Sequence, residues 1–167
     1  MFKHLSNPEY LHVLLNPWPV YGLAMGVLAL AIALLTHARA ARVTAFSIIF
    51  VSALSAWPVY EQGEAAYDRV LAMTDSDGAQ WLDEHMHRAE KLIYVFYLVA
   101  ALSAVAIGVE FKAPRAAVPL AWIVLVLAAG NLGAGGYIAY AGGHIRHKEF
   151  RYEPPPADGR DEDSHEH

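Results

Sequence analysis

The sequence has no cysteine among its 167 residues. This absence excludes disulfide bonds, thiolate metal sites, iron–sulfur clusters and covalently attached c-type haem. Any metal ion would therefore be held by histidine, carboxylate or methionine side chains.

Charged side chains are also scarce. They make up 17% of the residues, against about 25% in an average soluble domain, whereas apolar side chains reach 56% against roughly 45–50%. The charges lie in a few short intervals, which is the segregation that a bilayer requires. The net charge of -5 and the lack of a basic stripe exclude nucleic acid as a partner. The composition favours an integral membrane protein, with the lipid bilayer as its first partner.

Four intervals free of Asp, Glu, Lys and Arg are long enough to cross a hydrocarbon core, which takes about 20 helical residues. The sequence therefore predicts an all-α protein with four transmembrane helices in a domain over residues 19–145. Residues 1–18 are expected to lie at the membrane interface, because Pro17 and Pro19 delay the start of the first spanning helix. The expected spans are about 19–36, 43–60, 88–109 and 116–143.

The lengths of the connections predict how the helices are arranged. Residues 37–42 and 110–115 are too few to join anything but antiparallel neighbours, which gives an up-down-up-down four-helix bundle. Residues 61–87 form a longer extramembrane connection, for which we expect a short surface helix over about 63–73 and a turn over 74–78. Residues 146–167, with three consecutive prolines and an acidic run that contains histidine, are typical of a disordered tail.

This topology sorts the polar residues between the two ends of the bundle. One end holds both termini, the long connection and every histidine except His37, and the other end holds two tight turns with four basic residues. Basic residues in tight turns favour the cytoplasmic side, so we expect a bacterial inner-membrane protein with both termini in the periplasm. The total number of Lys and Arg is larger at the histidine-rich end, which favours the opposite orientation. The four basic residues of the turns are Arg39, Arg42, Lys112 and Arg115.

Histidines near three helix ends form the one unusual constellation. His12 precedes the first span, His85 precedes the third and His144 follows the fourth, so all three are expected at similar depth. Neutral imidazoles from different helices can hold haem iron or a Zn, Cu or Fe ion. We expect His85 and His144 to be the ligand pair, although Gly142 and Gly143 can end the helix before His144.

Other residues are assigned supporting positions or none. His12 and Glu61 would complete or orient the ligand shell, and Glu64 would add a carboxylate at the same level. His87 lies two residues from His85 and so faces away from it on a helix. The alternative interpretation is that these histidines are simply solvated at the membrane interface.

The sequence shows no catalytic constellation. No Asp, Glu, Lys or Arg lies in the interior of the spans, since Arg88, Glu90 and Lys91 stand at the start of the third span, and this argues against a pump or channel. There is also no Ser-His-Asp order and no histidine-box set for a desaturase. The chain is therefore not expected to be an enzyme.

Several short motifs resemble those of a known family. They lie in residues 16–20, 60–66, 85–90 and 131–140, and include a Tyr-x-x-Gly-Glu-x-Ala corner at Tyr60 and a His-x-x-x-Ala motif at His85. In these motifs the chain resembles the DUF2231 family of small four-helix bacterial membrane proteins. The resemblance implies the four-helix architecture, with association with haem or redox chemistry, and it matches Glu61, Gly63, Glu64 and His85. Asn16-Pro17 stands where the family has His-Pro, with His12 as the plausible counterpart of that histidine.

Two functions follow from these observations. In the first, the protein binds haem b or a transition-metal ion through histidines at one membrane face, for electron transfer or metal handling. In the second, it binds no cofactor and is an accessory or scaffold subunit that docks against other membrane proteins. A haem absorption band or a stoichiometric metal would distinguish the two.

Overall fold

The computed structural model describes residues 6–156, and these are helical with no strand. The predicted all-α class is confirmed for this part of the chain. A π-helical turn over Trp18–Gly22 leads into the second helix, and a short 3-10 helix over Lys148–Phe150 follows the last one. The helices are α1 (Pro8–Leu15), α2 (Leu23–Leu35), α3 (Arg39–Leu54), α4 (Ala56–Leu71), α5 (Ser76–Lys112) and α6 (Pro114–Arg146).

Four helical stretches are long and apolar enough to cross a membrane. The stretches join α1 to α2 and α3 to α4, whereas α5 and α6 each stand alone. They run over Pro8–Leu35, Arg39–Leu71, Ser76–Lys112 and Pro114–Arg146.

Local sequence explains where the helices begin and change direction. Asn7 caps α1 by accepting a hydrogen bond from the Glu9 amide, and Asp75 caps α5 by accepting one from the Gly78 amide. The boundary between α3 and α4 lies at Ser55. Pro58 has no N–H to donate to the Leu54 carbonyl, which is the usual cause of a helix kink.

Four of the helices contact one another in a ring, in which α2 packs against α3, α3 against α5, α5 against α6, and α6 against α2. The core between them is apolar, and large apolar side chains are also exposed on the outside. Helix α1 lies outside the ring and packs against α4. Examples of exposed apolar residues are Leu28, Ile32, Val51, Val105 and Val126.

A buried ion pair closes the end of the ring that carries the tight turns. Arg42 at the start of α3 binds both carboxylate oxygens of Glu110 near the end of α5, at 2.5 and 3.0 Å. Glu110 is fully buried and Arg42 is nearly so. The pair therefore ties the α2–α3 turn to the end of α5.

The long connection differs from the prediction. Residues 63–71 are helical as expected, but they continue α4 and do not form a separate surface helix, and α5 already begins at Ser76. Nothing in residues 61–71 interrupts the helix, and Gly63 and Ala66 allow close packing there. The polar turn is thereby reduced to residues 72–75.

The start of the tail also differs from the prediction. Residues 148–151 are ordered by pairing, because Arg151 binds the Asp75 carboxylate and the carbonyls of His144 and Ile145. The remaining tail residues 157–167, including His165 and His167, lie outside the described residues, as do residues 1–5.

Candidate functional site

His85 lies on the buried side of α5 with 8% of its surface exposed. Its Nδ1 lies 2.9 Å from the carbonyl oxygen of Ile138 on α6. A carbonyl can only accept, so Nδ1 carries the proton and donates. In the neutral ring the lone pair then lies on Nε2, which is the nitrogen available to a metal.

His12 has the same arrangement on the neighbouring helix pair. Its Nδ1 donates to the carbonyl oxygen of Val59 on α4 at 2.8 Å, and the ring is half-buried between α1 and α4. Within residues 6–156, no hydrogen bond is formed by Nε2 of either His12 or His85. A metal-bound histidine typically donates its other ring N–H to a carbonyl or carboxylate in this way.

A glycine makes room for each ring, and its position is the same in both cases. It lies four residues after the carbonyl that the ring binds, so Gly63 follows Val59 and Gly142 follows Ile138. A Cβ on Gly63 would lie 2.9 Å from Nδ1 and Cε1 of His12, and one on Gly142 would lie 3.1 Å from the corresponding atoms of His85. The two histidines are therefore seated by equivalent contacts on two different helices.

The two seated rings are neighbours. Their centroids are 6.2 Å apart and their planes are nearly perpendicular, at 88°. Two neutral imidazoles with free Nε2 atoms thus lie next to each other at one end of the helix ring.

The histidine pair borders two spaces of different size. A cavity of about 60 Å³ is lined mainly by apolar residues, including Val20, Ile93 and Phe96 of the helix core. A groove of about 810 Å³ is lined by residues of α1, α4, α5 and the end of α6. His12, His85 and Met86 border both spaces.

The structure gives His144 a different set of contacts from His85. The ring of His144 packs between Trp81 and Tyr140, with centroids 4.5 and 4.3 Å away, and its Nδ1 donates to the Tyr140 carbonyl of its own helix. Its Nε2 is buried without a hydrogen-bond partner in the described part of the chain. Helix α6 passes through Gly142 and Gly143, so these glycines do not end it before His144.

The two predicted carboxylates lie away from the histidine pair. Glu61 and Glu64 are exposed on α4, and neither borders the cavity or the groove. His87 is exposed on α5, two residues after the buried His85. Across residues 6–156, no group of three or more His, Cys, Asp or Glu side chains is placed to hold a metal ion.

Sequence reasoning missed Gly63 and Gly142, the glycine seats against which the two histidine rings pack, and it missed a buried cation beside them. The cation is Arg88, which is buried one helical turn after Glu84. Its guanidinium binds the Glu84 carboxylate at 2.6 Å and the Tyr137 carbonyl at 2.9 Å. The Glu-to-Arg spacing of four residues could have indicated this pair. No such spacing within one helix indicates which histidine will pack against a glycine on another helix.

Comparison with known proteins does not identify the chain. No protein-family model matches it, and comparisons with curated proteins and with solved structures gave no match. The resemblance to the DUF2231 family therefore stays a prediction.

Proposed function

We propose that the protein is an integral membrane protein in which His12 and His85 together hold a transition-metal centre, either haem iron or a single ion, for electron transfer or metal handling. One observation carries the proposal: the two rings are adjacent, each has its Nδ1–H bound to a carbonyl, and each has a free Nε2. The tautomer that these hydrogen bonds select is the one that a metal-bound histidine carries.

The donor set fits the chemistry of such a centre. Imidazole nitrogen suits Zn, Cu, Fe and haem iron, and the thioether of Met86 beside the pair is a further soft donor. A bound iron or copper would supply one-electron redox chemistry. The chain itself would orient the two imidazoles through the Val59 and Ile138 carbonyls and exclude water on the core side with the apolar cavity wall.

The membrane arrangement is part of the same proposal. We place the four apolar helical stretches Pro8–Leu35, Arg39–Leu71, Ser76–Lys112 and Pro114–Arg146 across a bacterial inner membrane as an up-down-up-down bundle, supported by the length of these stretches, their exposed apolar side chains and the ring of contacts. The basic turns would then be cytoplasmic and both termini periplasmic. Gly63 and His85, which match the DUF2231 motifs, both belong to the proposed site.

The test is an absorption spectrum and a metal analysis of the protein purified in detergent. We expect a haem Soret band or a stoichiometric metal in the wild type, loss of it in His12→Ala and in His85→Ala, and retention in the exposed controls His87→Ala and His37→Ala. A wild type with neither haem nor metal would contradict the proposal and favour a cofactor-free accessory or scaffold subunit.

Cysteine labelling tests the topology, because the chain has no cysteine of its own. We expect a reporter at Ser76 to be labelled from the periplasm and one at Ala113 from the cytoplasm. The reverse pattern would contradict the orientation alone, whereas labelling of both from one side would contradict the bundle.

A further inference from the structure

The groove beside the histidine pair has the dimensions of a cofactor site. Its volume of about 810 Å³ lies in the range of roughly 300–1,000 Å³ that is usual for small-molecule and cofactor pockets. His12 and His85 border it from within, and small residues such as Gly63, Ala66 and Ala139 line it. These small residues leave room for a flat ligand beside the two histidines, and larger side chains such as Tyr67, Leu82 and Met86 complete the lining.

The rim of the groove carries three basic residues, of which one has no acidic partner. Arg69 pairs with Glu9 at 2.7 Å, and His147 pairs with Glu149 at 2.9 Å. In residues 6–156, Arg146 binds no carboxylate; its guanidinium contacts the sulfur of Met73, 3.9 Å away, on the same groove. The rim therefore offers an unpaired guanidinium to an anionic group.

The number of ligands at the site favours one kind of centre. A bare ion normally takes four or more ligands, but no third His, Cys, Asp or Glu joins the pair among the described residues. A haem iron receives four nitrogens from its porphyrin and takes at most two from the protein. A porphyrin also carries its two carboxylates on one edge of an apolar plane, and the unpaired Arg146 guanidinium is placed to bind one of them where it borders the groove.

We infer that the groove receives the porphyrin of a haem b and that Arg146 binds one of its carboxylates at the rim. The inference rests on the proposed function, because His12 and His85 would supply the iron ligands. It assigns to Arg146 a binding role that needs no iron, and this makes the two proposals separable.

The experiment uses metal-free protoporphyrin IX, which cannot be ligated by histidine. Binding is followed by porphyrin fluorescence with the full chain in nanodiscs, and the probe's dimethyl ester serves as the uncharged form. We expect Arg146→Gln to weaken binding of the acid about tenfold, as the loss of one charge-assisted hydrogen bond predicts. The matched control is Arg115→Gln, an exposed cation at the other end of the chain's helix α6, which should leave binding unchanged.

A second variant tests the groove itself. Ala139 is exposed on the groove wall, so Ala139→Trp should fill the space and abolish porphyrin binding, whereas Ala104→Trp, also exposed but outside the groove, should not. Equal binding of acid and ester, or unchanged binding in both Arg146→Gln and Ala139→Trp, would overturn the inference.

The outcomes for the two proposals can be told apart. If haem binds in a histidine-dependent way but neither groove variant weakens porphyrin binding, the groove inference fails and the metal centre stands. If porphyrin binding depends on Arg146 and Ala139 while the protein takes up no haem or metal, the metal centre fails and the groove is supported as a porphyrin site.

Discussion

His12 and His85 lie edge to face with their ring centroids 6.2 Å apart, although 73 positions of sequence separate them. Each ring is fixed by a carbonyl of a different helix, so the separation depends on how α4 and α6 are placed and not on α1 or α5 alone. The two glycines that these rings contact, Gly63 and Gly142, and the neighbouring His144 therefore become testable features of the site.

Replacing either seat glycine should disturb the histidine that rests on it. In Gly63→Ala or Gly142→Ala the new methyl group would lie 2.9 or 3.1 Å from ring atoms, which is closer than ordinary van der Waals contact, so the ring must move. We expect weaker haem or metal binding in both variants, measured by titration of the purified protein.

Two other glycines of α6 provide the control for this prediction. A Cβ at Gly133 or Gly136 would meet nothing within 4 Å. Gly133→Ala and Gly136→Ala should therefore keep full binding and gain up to about 1 kcal/mol of helix stability each. Full binding in Gly63→Ala and Gly142→Ala would show that the seats do not position the rings.

Breaking the buried ion pair should strongly destabilise the fold. Glu110→Ala leaves the buried Arg42 guanidinium without its carboxylate, and loss of one partner of a buried pair costs about 3–5 kcal/mol. Unfolding in detergent measures the loss, with Lys112→Ala as the exposed neighbour that should cost less than about 0.5 kcal/mol.

The double variant Arg42→Met with Glu110→Leu should recover most of this stability, because no charge then remains buried. A loss in the double variant as large as in Glu110→Ala would mean that the cost comes from packing and not from an unpaired charge.

Asp75 should make the start of α5 resistant to mild acid. The Lys148 ammonium, the Gly78 amide and the Arg151 guanidinium all bind its carboxylate, and they hold its pKa well below the usual value. A lowered folded-state pKa gives stability that is present above the unfolded value of about 3.9 and is lost as the pH falls through the folded value.

Asp75→Asn isolates this charge, since asparagine is an equally good helix cap. We expect the variant to have a lower melting temperature than the wild type at neutral pH, and the difference to shrink only below about pH 4. A difference that is already lost at pH 5–6 would show that Asp75 is not held in its charged form.

His144 decides between the ligand pair expected from sequence and the pair seen in the fold. His144→Phe keeps a ring between Trp81 and Tyr140 and removes both nitrogens. We expect the bound centre to survive in this variant, as followed by its absorption or metal content. Loss of the centre, with the helix content unchanged, would instead support the pair His85 and His144.

The sequence by itself determined the helices. Charge-free runs of about 20 residues have few alternatives to helix in an apolar protein, and the spans expected from them fall within the four apolar helical stretches that are observed. The burial of His85 against the exposure of His87 also follows from helical periodicity, which is a local property.

Only the tertiary structure decided which residues share the site. Periodicity gives the faces of one helix but not the rotation of one helix against another, so the similar depth of His12, His85 and His144 could not show that His12 is the neighbour of His85. Packing of α1 against α4 brings His12 to Gly63, and packing of α5 against α6 brings His85 to Gly142 and leaves His144 with Trp81. Contacts between helices that are distant in sequence depend on how their side chains fit together after folding. For that reason the sequence alone could not predict that His12 is the neighbour of His85.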